Sequence, residues 1–156
     1  MNRQFLSFSL QDTLYAVEVS QVQEVLEYAQ PVRLPCTANY VEGLINSRGE
    51  GISVINLRTK FDLEQTEHDK NTRIIVLEVS HSGGAAERVT TFGAIADSVE
   101  EVIELDDKSI EPAPKFGNSI AGEFIRGIGK KDDRFIIILD VDKIFSEEEA
   151  ASLHVS

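Results

Sequence analysis

The stretch GLINSRGEGISVINLRTKF, residues 43–61, sets the apolar runs Leu44-Ile45 and Ile52, Val54, Ile55, Leu57 on either side of Arg48-Gly49-Glu50-Gly51. Apolar and β-branched runs flanking a glycine-containing turn are the pattern of a β-hairpin, and Gly49 and Gly51 are the residues available for the positive φ such a turn needs. The pattern returns near the end of the chain as FIRGIGKKDDRFIIILDVDKIF, residues 124–145, with Lys130-Lys-Asp-Asp133 as its turn and Phe135-Ile-Ile-Ile-Leu139 as an apolar strand. Both copies close on phenylalanine, Phe61 and Phe145.

Working outward, other segments also occur twice. Val22-Gln-Glu-Val-Leu-Glu27 is echoed by Val99-Glu-Glu-Val-Ile-Glu104, and Pro31…Pro35 by Pro112…Pro114. Strand signals precede each echo: Leu6, Phe8 and Leu10 alternate with Ser7 and Ser9, Tyr15, Val17 and Val19 with Ala16 and Glu18, and later the runs Ile74–Leu77 and Val89–Phe92 flank a loop from Ser80 to Ala86. Each copy thus holds about five short strands, which suits a small barrel, since closure removes exposed strand edges. The expected fold is mainly β: two packed five-stranded SH3-like barrels within one domain spanning residues 1–156, the repeats meeting near 62–72, with strand exchange between barrels left open.

Helices are expected in few places. Ser20-Gln-Val-Gln23 has capping-box spacing, and Val19, Val22, Val25 and Leu26 follow at helical intervals, so a short helix-like turn is predicted there. Ser146 and Glu149 predict a second helix in the tail.

The chain has 156 residues and a net charge of −12, from 15 basic and 27 acidic residues. So acidic a surface is repelled by nucleic-acid backbones and anionic membranes, and favours a protein partner or a cationic ligand. No apolar run approaches a membrane span and the N-terminus alternates rather than forming a signal block, so a cytoplasmic protein without membrane insertion is expected. Cys36, alone, excludes an internal disulfide or thiolate cluster and reads as a small half-buried residue. His68, His81 and His154 have no partners at metal-ligand spacing, and no nucleophile elbow or phosphate loop occurs. Asp140 and Asp142 read as a turn or cap pair rather than a cation site, and the Glu100-Glu101 and Asp106-Asp107 pairs as solvated faces able to steer a basic partner. No catalytic residue, cofactor or metal is expected.

Two features point to recognition. Val22 and Glu24 form a candidate anchor with a charged rim, although core packing accounts for Val22 equally well. Arg48 sits between apolar strands in an acidic chain; physics alone leaves it a surface cation, yet its glycine neighbours leave room for a carboxylate to reach its forked donors.

Taken together, FLSFSLQDTLYAVEVSQVQEV, the G-x-I-N-x-R-G hairpin, ADSVEEVIEL, the I-x-P-A-P segment and the closing hairpin resemble, in order and spacing, the CheW family of bacterial chemotaxis coupling proteins. The resemblance covers nearly the whole chain. It implies a two-barrel adaptor without catalysis that bridges the cytoplasmic tip of methyl-accepting chemoreceptors to the CheW-like regulatory domain of the histidine kinase CheA, at membrane receptor arrays. Carried over by position, it assigns partner binding to Val22, Glu24, Gly43, Arg48 and Gly49, and to Ile74 or Ile75 as apolar knobs in a groove for a receptor helix. Ser47, Ser53 and Asn56 depart from the family, which usually has Leu, Pro and Asp there; Ser47 removes an apolar side chain and Asn56 a negative charge. An adaptor of a non-motility pathway and a small-molecule sensor using the cleft between barrels are the alternative readings.

Overall fold

The computed structural model describes residues 2–35, 37–65, 67–83, 86–112 and 124–144. Ten strands are described: β1 Asn2–Leu10, β2 Thr13–Glu18, β3 Val22–Glu27, β4 Val41–Ser47, β5 Glu50–Asn56, β6 Arg73–Gly83, β7 Ala86–Ala96, β8 Ser98–Asp106, β9 Ile125–Lys131 and β10 Arg134–Leu139. One α-turn, α1, covers Leu57–Lys60.

The strands form two five-stranded sheets, ordered β8-β1-β2-β10-β9 and β3-β6-β7-β5-β4. The two orders are the same once β1–β5 are matched to β6–β10 and the first two strands are exchanged between sheets. The only parallel pairs among the described strands, β2 with β10 and β7 with β5, correspond under that match. The chain passes between sheets at the 3-10 turn Val19–Gln21 and at Asp97. The 62–72 connection between repeats lies inside the second sheet's own chain path.

Alternation sorts side chains into three cores. Phe5, Leu14, Ala16, Ile103, Leu105, Ile136 and Ile138 fill the first sheet's concave face. Val54, Ile74 and Ile95 fill the second, joined by Leu26, Tyr28 and Ile45. Between the sheets lies the largest core, where Leu6, Phe8, Leu10, Tyr15 and Val17 meet Ile75, Leu77, Val79, Phe92 and Ala94. Phe61, read from sequence as the close of its hairpin, stacks on Phe124 at 4.9 Å and Tyr15 at 6.0 Å.

Both sheets curl toward closure. Val32 exchanges two backbone hydrogen bonds of 2.8 Å with Leu44, and Glu111 exchanges bonds of 2.9 and 2.8 Å with Ile128, so the extended proline segments tie each sheet's far edge to its last hairpin. The glycines beneath are dictated by this approach. A Cβ on Gly43 would lie 2.2 Å from the Val32 carbonyl oxygen, and one on Gly127 2.6 Å from that of Glu111.

Polar ties pin the crossings. Arg58, buried on α1, donates through Nε to Asp97 Oδ1 at 3.1 Å and through Nη2 to Oδ2, while Asp97 also accepts from the Gln11 N–H at 2.7 Å. Asp142, the counterpart of Arg58, accepts from Gln21 Nε2 at 3.0 Å and Ser80 N–H at 3.1 Å at the other crossing. Glu18, just before that crossing, accepts from Arg3 and Arg126, both at 2.7 Å. Burial pushes its carboxyl up, but the two guanidiniums outweigh this and hold it below the usual range.

Two sequence expectations change. The helix-like turn over residues 20–26 shrinks to the 3-10 turn Val19–Gln21, which has no side-chain cap, and Val22–Glu27 is strand β3. The matching segment Val99–Glu104 is likewise strand, within β8. The stretch Ser80–Gly83 is not loop but the continuation of β6, paired to β7 as far as Gly83 with Ala86. Glu100, Glu101 and Asp107 are exposed and Asp106 half-buried, in keeping with the expected solvated faces, and Glu101 also pairs with Lys131 at 3.4 Å and Asp107 with Arg3 at 3.1 Å. The expectations for Cys36 and for the tail helix at Ser146 fall outside the described residues.

Candidate functional site

The β4–β5 hairpin turns through two residues, Arg48 at φ 53° and Gly49 at φ 84°. Positive φ at both central positions is the type I′ geometry that matches strand twist. Gly51 therefore lies in β5, and Arg48 rather than Gly51 shares the turn with Gly49. Asn46 Oδ1 accepts from the Gly49 N–H at 2.9 Å, which fixes the tip further. The β9–β10 hairpin repeats this register residue for residue, down to a bulge in its first strand, with Asp132 at φ 50° and Asp133 at φ 63°.

Curling of the second sheet brings its edge strands together, and Glu24 on β3 meets the end of β4. Ser47 Oγ donates to Glu24 Oε1 at 2.6 Å, and Arg48 Nη2 lies 3.2 Å from Glu24 Oε2. The Glu24 side chain is 21% exposed and that of Arg48 82%, so the carboxylate is the anchored member and the guanidinium the presented one. An exposed ion pair adds only about 0–1 kcal/mol to stability, so this pair orients Arg48 more than it holds the fold.

The remaining sequence candidates divide. Gly43 and Gly49 shape the hairpin, the first by admitting Val32 and the second by its φ. Val22 is half-buried against the intersheet core. Ile74 and Ile75 are both fully buried, Ile74 within the second sheet's own core and Ile75 between the sheets, so neither stands out as a surface knob in the free chain. Exposed apolar residues lie elsewhere, at Val25, Val32, Leu34, Val89, Val102 and Phe135. Val25 and Val102 occupy matching positions on β3 and β8.

The departures acquire roles. Ser47 takes part in the site through its hydroxyl. Ser53 is buried in β5 opposite Leu44 and Phe92, a central position where proline would remove a ladder donor. Asn56 caps α1 by accepting from Thr59 N–H at 3.2 Å, and its amide donates to Glu42 Oε1 and Gln65 Oε1, both at 2.9 Å. An aspartate here would face the Glu42 carboxylate without a donor. Asn56→Asp is expected to lower stability by about 1 kcal/mol in urea unfolding, with Glu42→Gln recovering most of it; an unchanged midpoint would remove this account of Asn56.

Among the described residues no group of three or more His, Cys, Asp or Glu side chains is placed to hold a metal ion, and no helix is long and apolar enough to cross a membrane. Asp140 lies 3.8 Å from Lys143, while Asp142 is committed to Gln21 and Ser80. His68 packs against the Tyr28 ring, centroids 4.2 Å apart. The arrangement offers recognition by a guanidinium presented at the hairpin tip.

Two pseudo-equivalent β-sheet units with a charged hairpin tip define a protein-interaction module. Residues 4–149 match the CheW-like domain, and the chain belongs to that family. It is 34% identical over 151 residues to "Chemotaxis protein CheW" of Klebsiella aerogenes, covering 97% of this chain and 86% of that protein. It is 33% identical over 145 residues to the protein of the same name from Helicobacter pylori, with 93% and 82% covered. The crystal structure of the scaffolding protein TtCheW from Thermoanaerobacter tengcongensis superposes with a TM-score of 0.80 at 35% identity, covering 96% of this chain and 91% of that one. The chain is accordingly a chemotaxis scaffold of the CheW family.

Proposed function

We propose that the chain acts without catalysis in the cytoplasm, coupling the tip of methyl-accepting chemoreceptors to the regulatory domain of the histidine kinase CheA at receptor arrays. The observation that carries the site assignment is Arg48, held at the apex of a rigid two-residue turn, its side chain 82% exposed while one guanidinium nitrogen rests 3.2 Å from Glu24. A forked donor so presented fits a carboxylate on a partner. Glu24 positions it, Val22 borders the same edge, Gly43 and Gly49 set the hairpin's shape, and Ile74 and Ile75 on the adjoining strand β6 are buried on its two opposite faces.

The test is co-assembly of purified chain, soluble receptor tip and kinase, read by kinase activity and by capture. Arg48→Glu places two carboxylates together and presents the wrong charge, so capture of receptor tip or kinase should fall about tenfold or more while the melting curve stays close to the parent's. Capture by Arg48→Glu equal to the parent's with both partners would remove the assignment.

A further inference from the structure

The two hairpins close their sheets by different chemistry. In the first sheet Lys131 Nζ lies 3.4 Å from Glu101 Oε1, so the strand residue itself carries the countercharge. In the second sheet the residue matching Lys131 is Ser47, and the carboxylate matching Glu101 is Glu24, each carboxylate lying at the irregular step of its strand's register. Ser47 is neutral, and the countercharge is moved one residue outward onto the exposed tip, Arg48, 3.2 Å from Glu24 Oε2. Glu24 thus has two donors of unequal permanence. The hydroxyl sits at the end of β4 at 2.6 Å, whereas the guanidinium is 82% exposed on a long flexible stem.

We propose that Ser47 is a positioning residue that keeps Glu24 hydrogen-bonded while Arg48 swings away to a partner's carboxylate, which makes Arg48 a releasable group. The inference rests on the reading of Arg48 as a partner contact. Its physical basis is the cost of stripping a largely shielded carboxylate of its donors: with Ser47 present, departure of Arg48 leaves Glu24 one short hydrogen bond, and without Ser47 it leaves none among the described residues. The first sheet, with Lys131 in this place, has a closure that needs no tip residue, and Asp132 and Asp133 are free of the task.

The test is calorimetric affinity for the soluble receptor tip and for the kinase regulatory domain, measured with the parent, Ser47→Ala, Ser47→Thr, Arg48→Ala and the Ser47→Ala/Arg48→Ala double variant. Ser47→Ala should weaken binding about fivefold toward the partner that Arg48 contacts, and Ser47→Thr, which keeps the hydroxyl, should restore it to within about twofold. In the Arg48→Ala background the Ser47→Ala effect should vanish, because no guanidinium remains to be released. An unchanged affinity in Ser47→Ala overturns the proposal, as does a loss of the same size with Arg48 already removed, which marks a purely structural hydroxyl. If Arg48→Ala alone leaves both affinities at the parent's value, the partner-contact reading itself fails and takes the proposal with it.

Discussion

Gly43→Ala should lower the unfolding free energy by about 3 kcal/mol or more, a large part of the roughly 5–15 kcal/mol typical of a domain. Two costs combine. The backbone at Gly43 has φ +146°, which L side chains rarely adopt, and the new Cβ would lie 2.2 Å from the Val32 carbonyl oxygen, a main-chain atom that cannot rotate away. Relief requires the proline segment to lift off β4, losing both 2.8 Å bonds between Val32 and Leu44. A shift in urea midpoint with binding retained in the remaining folded fraction is the expected pattern. A variant that keeps the parent midpoint yet loses its partners would instead return Gly43 to the contact surface.

The second large effect is expected at Asp97. Asp97→Ala leaves the Arg58 guanidinium, 8% exposed, with only the Glu64 carbonyl at 2.5 Å among its described acceptors, and it also strips the Gln11 N–H of its acceptor. Removing one member of a buried pair ordinarily costs about 3–5 kcal/mol. Since the Asp97 side chain is itself 33% exposed, water can reach the vacated place, and about 2–3 kcal/mol is the expected loss. The double variant Arg58→Met/Asp97→Ala should regain much of this, because the stranded charge is gone. Equal losses in the single and double variants would show that the stranded Arg58 charge is not the source of the loss.

The hairpins and the repeat were legible because glycine-flanked turns and β-branched runs are local signals. The segment at Val22 misled for a reason its register explains. A bulge between Val22 and Glu24 breaks strict alternation, so Val22 turns to the intersheet core while Leu26 joins the core of the second sheet. Apolar residues across a bulge acquire i, i+3 spacing, which imitates a helix. Arg48 was legible as a candidate, but its geometry was not, since the strands carrying Glu24 and Ser47 lie at opposite edges of one sheet and meet only through curvature. Ser47 looked like a lost apolar contact for the same reason. Arg58 and Asp97 are single charges 39 residues apart, and nothing local marks them as a pair.

The places where the chain changes sheets also set an order of events during synthesis. Every strand of the second sheet lies between Val22 and Ala96, an unbroken run that can close as soon as it leaves the ribosome. The first sheet is split around it: β1 and β2 emerge first, yet their neighbours β8 and β10 come last. Phe5 and Leu14 must therefore wait for Ile103, Ile136 and Ile138 before their side of the hairpin is covered. Nascent chains halted before β8 would present a finished barrel trailing an uncovered apolar hairpin, the form most in need of a chaperone.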